Sequence, residues 1–301
     1  MKNIARILLA LAVSVLAAGC IKESLDDCYN LSLSLLYKGD GNTDMLAESI
    51  DKIDLYVFDQ ENKLVKQNSY KQDDLGEDNT IPLFRLDPGK YIIVAVGNAY
   101  DMTEVQLAQN GDWSNSYIMH PDLEKTGRVD GHDHNYLGYI EVTMASHELL
   151  QRPLELKSSH INVSIEMSGL QPGVGVNSRA EGNYQVFFDC SNGKTDFRNK
   201  VVEDATGICQ PVMEYDEKTG KYVSRDLALF RVDNYCNHVL KVISPQGNEV
   251  LALNLSDYLS QHPEIDVTKQ EALLPIEIKF TPVGVDVVVP EWYITDVEPE
   301  F

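Results

Sequence analysis

Basic residues are scarce in this 301-residue chain: 25 lysines and arginines stand against 47 aspartates and glutamates, a formal net charge of −22. The bases are scattered singly or in pairs, so no basic stripe is available to meet a phosphate backbone, and nucleic acid is not expected as a partner. Beyond the first twenty residues no stretch reaches the ~18 uninterrupted apolar residues that a spanning helix needs. Helical periodicity is also rare, which removes the crossover helices of a parallel α/β sheet. Catalytic spacing signals are missing as well. There is no G-x-S-x-G, no H-E-x-x-H, no P-loop and no G-x-G-x-x-G after a strand. Acids are abundant, but nothing points to the cleft that raises one carboxyl pKa for glycoside hydrolysis. No catalytic residue, no cofactor and no small-molecule substrate is expected.

Cysteine is sparse and unclustered: five residues and no C-x-x-C, so a zinc site lacks its paired ligands. Setting Cys20 aside, Cys28, Cys190, Cys209 and Cys236 form an even set that permits three disulfide connectivities. Cys190 and Cys209 flank a hairpin-like segment and are the candidate bridge. Two polar motifs have part of the spacing of a metal site. "DGHDHN" spaces His132 and His134 as same-face ligands on a strand, yet its Gly and Asp content makes a solvated turn. "DGNTD" (Asp40, Asn42, Asp44) opens like a calcium loop but has Met45 where that loop needs Gly. No metal is expected at either.

What the chain does have begins at its start. Lys2 and Arg6 precede an apolar run from Ile7 to Ala18, too short for a permanent span, which reads as a signal peptide. The run ends in Leu16-Ala17-Ala18-Gly19-Cys20, which resembles the bacterial lipobox. That resemblance implies cleavage before Cys20 and acylation of its sulfur and amine. Two or three acyl chains, at about 0.8 kcal/mol per buried CH₂, suffice for stable anchoring. The expected division is a signal peptide over 1–19, an acylated tether over 20–30, and a body beyond. The acids of the tether resemble the export tags of surface-exposed lipoproteins in Bacteroidota.

In the body, period-2 alternation recurs. "LSLSLLY" puts Leu31, Leu33 and Leu35 on one face, and "IDKIDLYVFD" does the same with Ile53, Leu55 and Val57. Asp87-Pro88-Gly89 is a turn with a mechanism, fixed φ followed by positive φ, and "YIIVAV" after it reads as a strand covered on both faces. From Ala99 to Asp133 the pattern lapses into a long polar insertion, with a short helix expected near Met102 to Ala108. Arg152-Pro153 interrupts the pattern again and places a boundary near residue 151, dividing the body into 31–150 and 151–301. The second half repeats the style of the first, and only "SDYLSQHPEI" reads as helical, limited by Pro263. About seven short strands per half predict an all-β protein of two tandem β-sandwiches, with one large barrel as the structural alternative.

Several motifs, in order, carry a further resemblance: the lipobox with a second Cys close behind, "SIDKIDLYVFDQENKLV", "LDPGKYIIVAVGN", "YLGYIEV", "PLELKSSHINVSIEMSGL" and "VDVVVPEWYITDV". Together they resemble the FimB-type anchor subunits of the type V fimbriae of Bacteroidota. The resemblance implies transthyretin-like sandwiches, residence at the cell outer membrane with lipid on Cys20, and a role in rooting a fimbrial shaft and limiting its length. The partners it implies are a fimbrial shaft subunit and outer-membrane lipid. A sandwich edge with unpaired backbone groups can join a partner's strand, and the candidate segment here carries Val285, Val287 and Val289 on one face, with "LSLSLLY" as the other. The alternatives are a tip or accessory adhesin, or a surface glycan-binding lipoprotein that stacks sugars on Trp113, Tyr117, Tyr136 and Tyr139.

Overall fold

The computed structural model describes residues 30–83, 85–108, 112–146, 149–170, 176, 183–235 and 237–295. Strands dominate it. The first half forms β1 (Leu31–Leu36), β2 (Lys52–Asp59), β3 (Leu64–Lys71), β4 (Thr80–Leu83), β5 (Gly89–Gly97), β6 (Glu104–Gln106), β7 (Tyr117–Met119), β8 (Tyr136–Met144), β9 (Leu150–Glu155) and β10 (Lys157–Ser158). The second forms β11 (His160–Ser168), β12 (Gln185–Asn192), β13 (Lys194–Asp196), β14 (Thr206–Cys209), β15 (Glu214–Asp216), β16 (Lys221–Phe230), β17 (Val239–Ile243), β18 (Glu249–Asn254), β19 (Leu273–Thr281) and β20 (Gly284–Val288).

Two sheets face each other in each half. In the first, β4-β1-β9 packs on β10-β8-β5-β2-β3. Successive side chains of a strand point to opposite faces, so the leucines of "LSLSLL" all enter one core. Leu31, Leu33 and Leu35 are fully buried there with Ile53, Leu55, Val57, Ile93 and Ala95. In the second half, β15-β16-β11-β19-β20 packs on β14-β12-β17-β18 around Val163, Ile165, Val186, Phe188, Leu240, Val242 and Ile276.

The halves share one topology. Taken in chain order, β1, β2, β3, β4, β5, β8 and β9 correspond to β11, β12, β14, β16, β17, β18 and β19. Both sets give a 4-1-9 type sheet, with one antiparallel and one parallel neighbour for the leading strand, facing a 3-2-5-8 type sheet. The parallel pairs even match in detail: Ser34 lies opposite Pro153 and Ser164 opposite Pro275. The fold is therefore a tandem duplication of one seven-stranded sandwich, with β10, β15 and β20 added at edges.

Three sequence expectations need correction. The switch between halves falls between Ser158 and His160, because β9 pairs in parallel with β1 and β10 pairs with β8; a division at 151 cuts through β9. The helix expected near Met102 to Ala108 is instead strand β6, where Val105 lies opposite Ile118 of β7 and the cross-strand apolar pair outweighs a weak helical signal. The insertion is also less of a free loop than its composition suggests. β7 pairs with β13 of the second half, and the sheet β13-β7-β6 buttresses the outer face of β2, β5 and β8. Trp113, Ile118, Phe197 and Phe230 pack there on Tyr56, Phe58, Val94, Val96 and Leu137. The helix Leu255–Gln261 does form, capped by the Asn254 side chain, and stops before Pro263.

Candidate functional site

The C-terminal strand is built as an addition to a finished sandwich. β20 pairs antiparallel with β19, from Glu277 opposite Val288 to Thr281 opposite Gly284, and among the described residues no strand lies on its other side. Val285 and Val287 are half-buried on the second core, and Val289 is 5 % exposed. At ~1.5–3 kcal/mol for each fully buried aliphatic side chain, these three residues hold the strand by a few kcal/mol. Pro290 has no N–H to continue the ladder, and the chain turns into the short helix Glu291–Thr295.

A polar latch fastens that turn to the outer face of the sheet. Trp292 Nε1 donates to Glu166 Oε1 at 2.8 Å, and Lys221 Nζ bridges Glu166 (2.7 Å) and Glu277 (2.8 Å). Ser168 Oγ donates to Glu277 at 3.0 Å. Burial pushes the Glu277 carboxyl up, but the hydrogen bonds from Lys221 and Ser168 outweigh it, and the group stays ionised below the usual carboxylate range. Sequence reasoning missed this latch. Its only trace was charged residues at the outward positions of "INVSIEMS" and "LPIEIKF", strands that otherwise read as core.

The other strand considered for exchange behaves differently. β1 lies between β4 and β9, with three leucines at zero exposure, so removing it strips two ladders and about three full side-chain burials from the first core.

The remaining candidates resolve into structural roles. Cys190 and Cys209 are both free, and the expected bridge between them is absent. Cys209 lies opposite Phe188 in the core, whereas the register shift between Phe188 and Ser191 puts Cys190 at φ 60° and turns it outward, exposed. Burial raises the Cys209 thiol pKa well above normal. Cys20, Cys28 and Cys236 lie outside the described residues. Asp40 and Asp44 do not converge on a cation: Asp40 accepts from the Gln270 and Glu271 backbones, and Asp44 from those of Tyr37 and Leu46. His132, expected in a solvated turn, is buried and stacked on Phe230 at 3.5 Å between ring centroids, while exposed His134 stacks on His160. Among the described residues no group of three or more His, Cys, Asp or Glu is placed to hold a metal ion.

The aromatics suggested for sugar stacking are mostly occupied. Trp113 and Tyr136 are 5 % exposed, Tyr117 lies under the Lys194 ammonium, and exposed Tyr139 packs on Trp113. Trp113 belongs to the buttress and Tyr136 to the first core, so the four form no shared open platform. No helix among the described residues is long and apolar enough to cross a membrane.

Residues 25–298 match the family described as fimbrillin-A associated anchor proteins Mfa1 and Mfa2. No curated protein matches the sequence. Among solved structures, a candidate adhesin from Bacteroides ovatus superposes with a TM-score of 0.69 at 19 % identity, covering 90 % of this chain and 96 % of that one. A candidate polysaccharide-binding protein from Bacteroides thetaiotaomicron VPI-5482 gives 0.67 at 18 %, covering 88 % and 97 %. The fimbrial anchor protein Mfa2 from Porphyromonas gingivalis gives 0.63 at 14 %, covering 86 % and 94 %. At these identities the superpositions speak to the fold; the family match spans nearly the whole chain.

Proposed function

Since this chain belongs to the family of fimbrillin-A associated anchor proteins, we propose that it is a lipid-anchored subunit that roots a fimbrial shaft at the outer membrane, limits its length, and joins the adjoining subunit through its C-terminal strand. The family is a structural one, a fimbrial accessory role rather than an enzymatic one. Cys20 in its lipobox supplies the anchor, two sandwich domains supply the body, and the tether spaces the body from the membrane surface. The reading rests chiefly on one observation: β20 is an edge strand with valines at alternate positions, held by three modest burials and one latch.

The chemistry of the join is noncovalent. A strand added at an edge satisfies backbone N–H and C=O groups along its length, while alternate side chains fill pockets of the acceptor and set specificity. β20 can be lent without opening the sheet, since β19 remains paired with β11 when it leaves. Deleting residues 283–301 tests the reading. The truncated chain is expected to fold and reach the envelope but to co-purify with no shaft subunit; undiminished co-purification overturns the strand-exchange proposal.

A further inference from the structure

The outer face of the second-half sheet carries a feature that anchoring does not use. Strand β16 is interrupted at its middle. Val163 of β11 pairs with Leu227 and Ile165 with Ser224, so Arg225 and Asp226 bulge out of the ladder. Asp226 sits at φ 61°, in the left-handed region that few residues other than Gly, Asn and Asp adopt. Bulges of this kind re-aim side chains and are over-represented beside functional sites.

The bulge separates two concavities and lines both. One, of about 550 Å³, is walled by Asn162, Ser164, Glu166, Arg225, Asp226 and Trp292. The other, of about 440 Å³, lies on the far side of the same two residues, against Val212 and Glu214. Both volumes fall within the usual range of small-ligand sites, ~300–1,000 Å³. Trp292 is 38 % exposed at the rim of the first, although its indole N–H is committed to Glu166. That bond fixes the ring in place. Among the described residues the side chains of Asn162, Ser164 and Asp226 have no hydrogen-bond partner. An amide, a hydroxyl and a carboxylate are therefore presented as open donors and acceptors beside a fixed aromatic face.

We infer that this groove, from Trp292 across the Arg225–Asp226 bulge, is a binding site for a neutral saccharide. An indole offers an apolar plane for the C–H face of a pyranose, and the surrounding amide, carboxylate and guanidinium suit adjacent hydroxyls. Two features select this ligand. The floor is formed by β11 and β16, whose backbone groups are taken up by neighbouring strands, so an extended peptide finds no ladder to join here. The carboxylates of Glu166, Asp216 and Asp226 around the groove, on a chain of net charge −22, disfavour sulfated or uronic polymers. Trp292 lies on the same C-terminal segment as β20, so the groove is complete only while β20 is docked on β19, and a saccharide and strand exchange oppose one another here.

The test is native affinity electrophoresis of the full chain through gels containing mannan, dextran, galactan or heparin, paired with tryptophan emission. The chain has two tryptophans, and Trp113 is buried, so saccharide-dependent protection from a quencher reports on Trp292. Retardation by at least one neutral polymer with Trp292 protected is expected, and Trp292→Ala is expected to weaken it about tenfold or more, as truncation of an aromatic anchor does. Asp226→Gly, which suits the positive φ and removes only the carboxylate, weakens it with an unchanged unfolding midpoint. No retardation by any neutral polymer, retardation by heparin alone, retardation unaffected by both substitutions, or protection of Trp292 only by a purified shaft subunit each overturns the inference.

Discussion

Two histidines without a counter-ion sit where the halves meet. His132, stacked on Phe230, and His160, whose Nδ1 lies 3.0 Å from the Asn135 carbonyl, are both pushed down to about 3 by burial. In the unfolded chain an imidazole titrates near ~6.5. Below that pH the unfolded state takes up protons that the folded state refuses, so stability is full above ~6.5 and falls with acid towards the folded value, by about 1.4 kcal/mol per pH unit for each histidine. Urea unfolding at a series of pH values between neutral and the folded value should show this loss, and His132→Phe should reduce the slope by one histidine's share; identical slopes contradict the assignment. Arg231 is the complementary case. Its guanidinium donates to the carbonyls of Ser158, Val267, Lys269 and Gln270, tying the end of the first half to the segment before β19. Lysine has no planar fork to reach four carbonyls. Arg231→Ala and Arg231→Lys are each expected to cost about 3 kcal/mol or more in chemical denaturation, with buried carbonyls left unpaired; full stability in the lysine variant contradicts that role.

At the scale of elements, β1 and β20 both read in the sequence as alternating strands, and only their neighbours tell them apart. β1 is enclosed on both sides, while β20 is an edge. Leu33→Asp places a charge in a dry core and is expected to abolish folding, whereas Val287→Asp should lower the unfolding free energy by a few kcal/mol at most and weaken capture of the adjoining subunit. Circular dichroism and pull-down read the two effects separately, and unchanged capture by the Val287 variant contradicts a role for β20. Period-2 runs made most strands legible because one buried face dictates alternation. Parallel pairing of β9 with β1 was not legible: the partners lie more than a hundred residues apart, and Arg152-Pro153 looks like a break although Pro is tolerated at an edge. The Cys190–Cys209 pair failed for a similar reason, since a bulge reverses the face of a side chain without leaving a mark in composition. The Trp292–Glu166–Lys221 latch leaves only outward charges as a trace, because its partners come from separate strands and a helix.

At the scale of the molecule, a duplicated sandwich explains how a chain poor in helix and in catalytic signals builds a rigid connector. The halves are bound by the β7–β13 pairing, the aromatic buttress, the Arg231 clamp and the bonds of Asp40 to Gln270 and Glu271. A net charge of −22 makes such a body self-repelling, and the proposed function assigns attachment to two specific devices, a lipid at Cys20 and the C-terminal edge. Separating them is the most direct test of the account. Fimbriae should be counted on cells and in culture medium after Cys20→Ser replacement, with the protein's own fraction followed by immunoblot. Loss of the protein from the membrane fraction, with filaments shed into the medium, is the predicted result. Filaments still rooted on cells whose copy of this protein carries no lipid would contradict it.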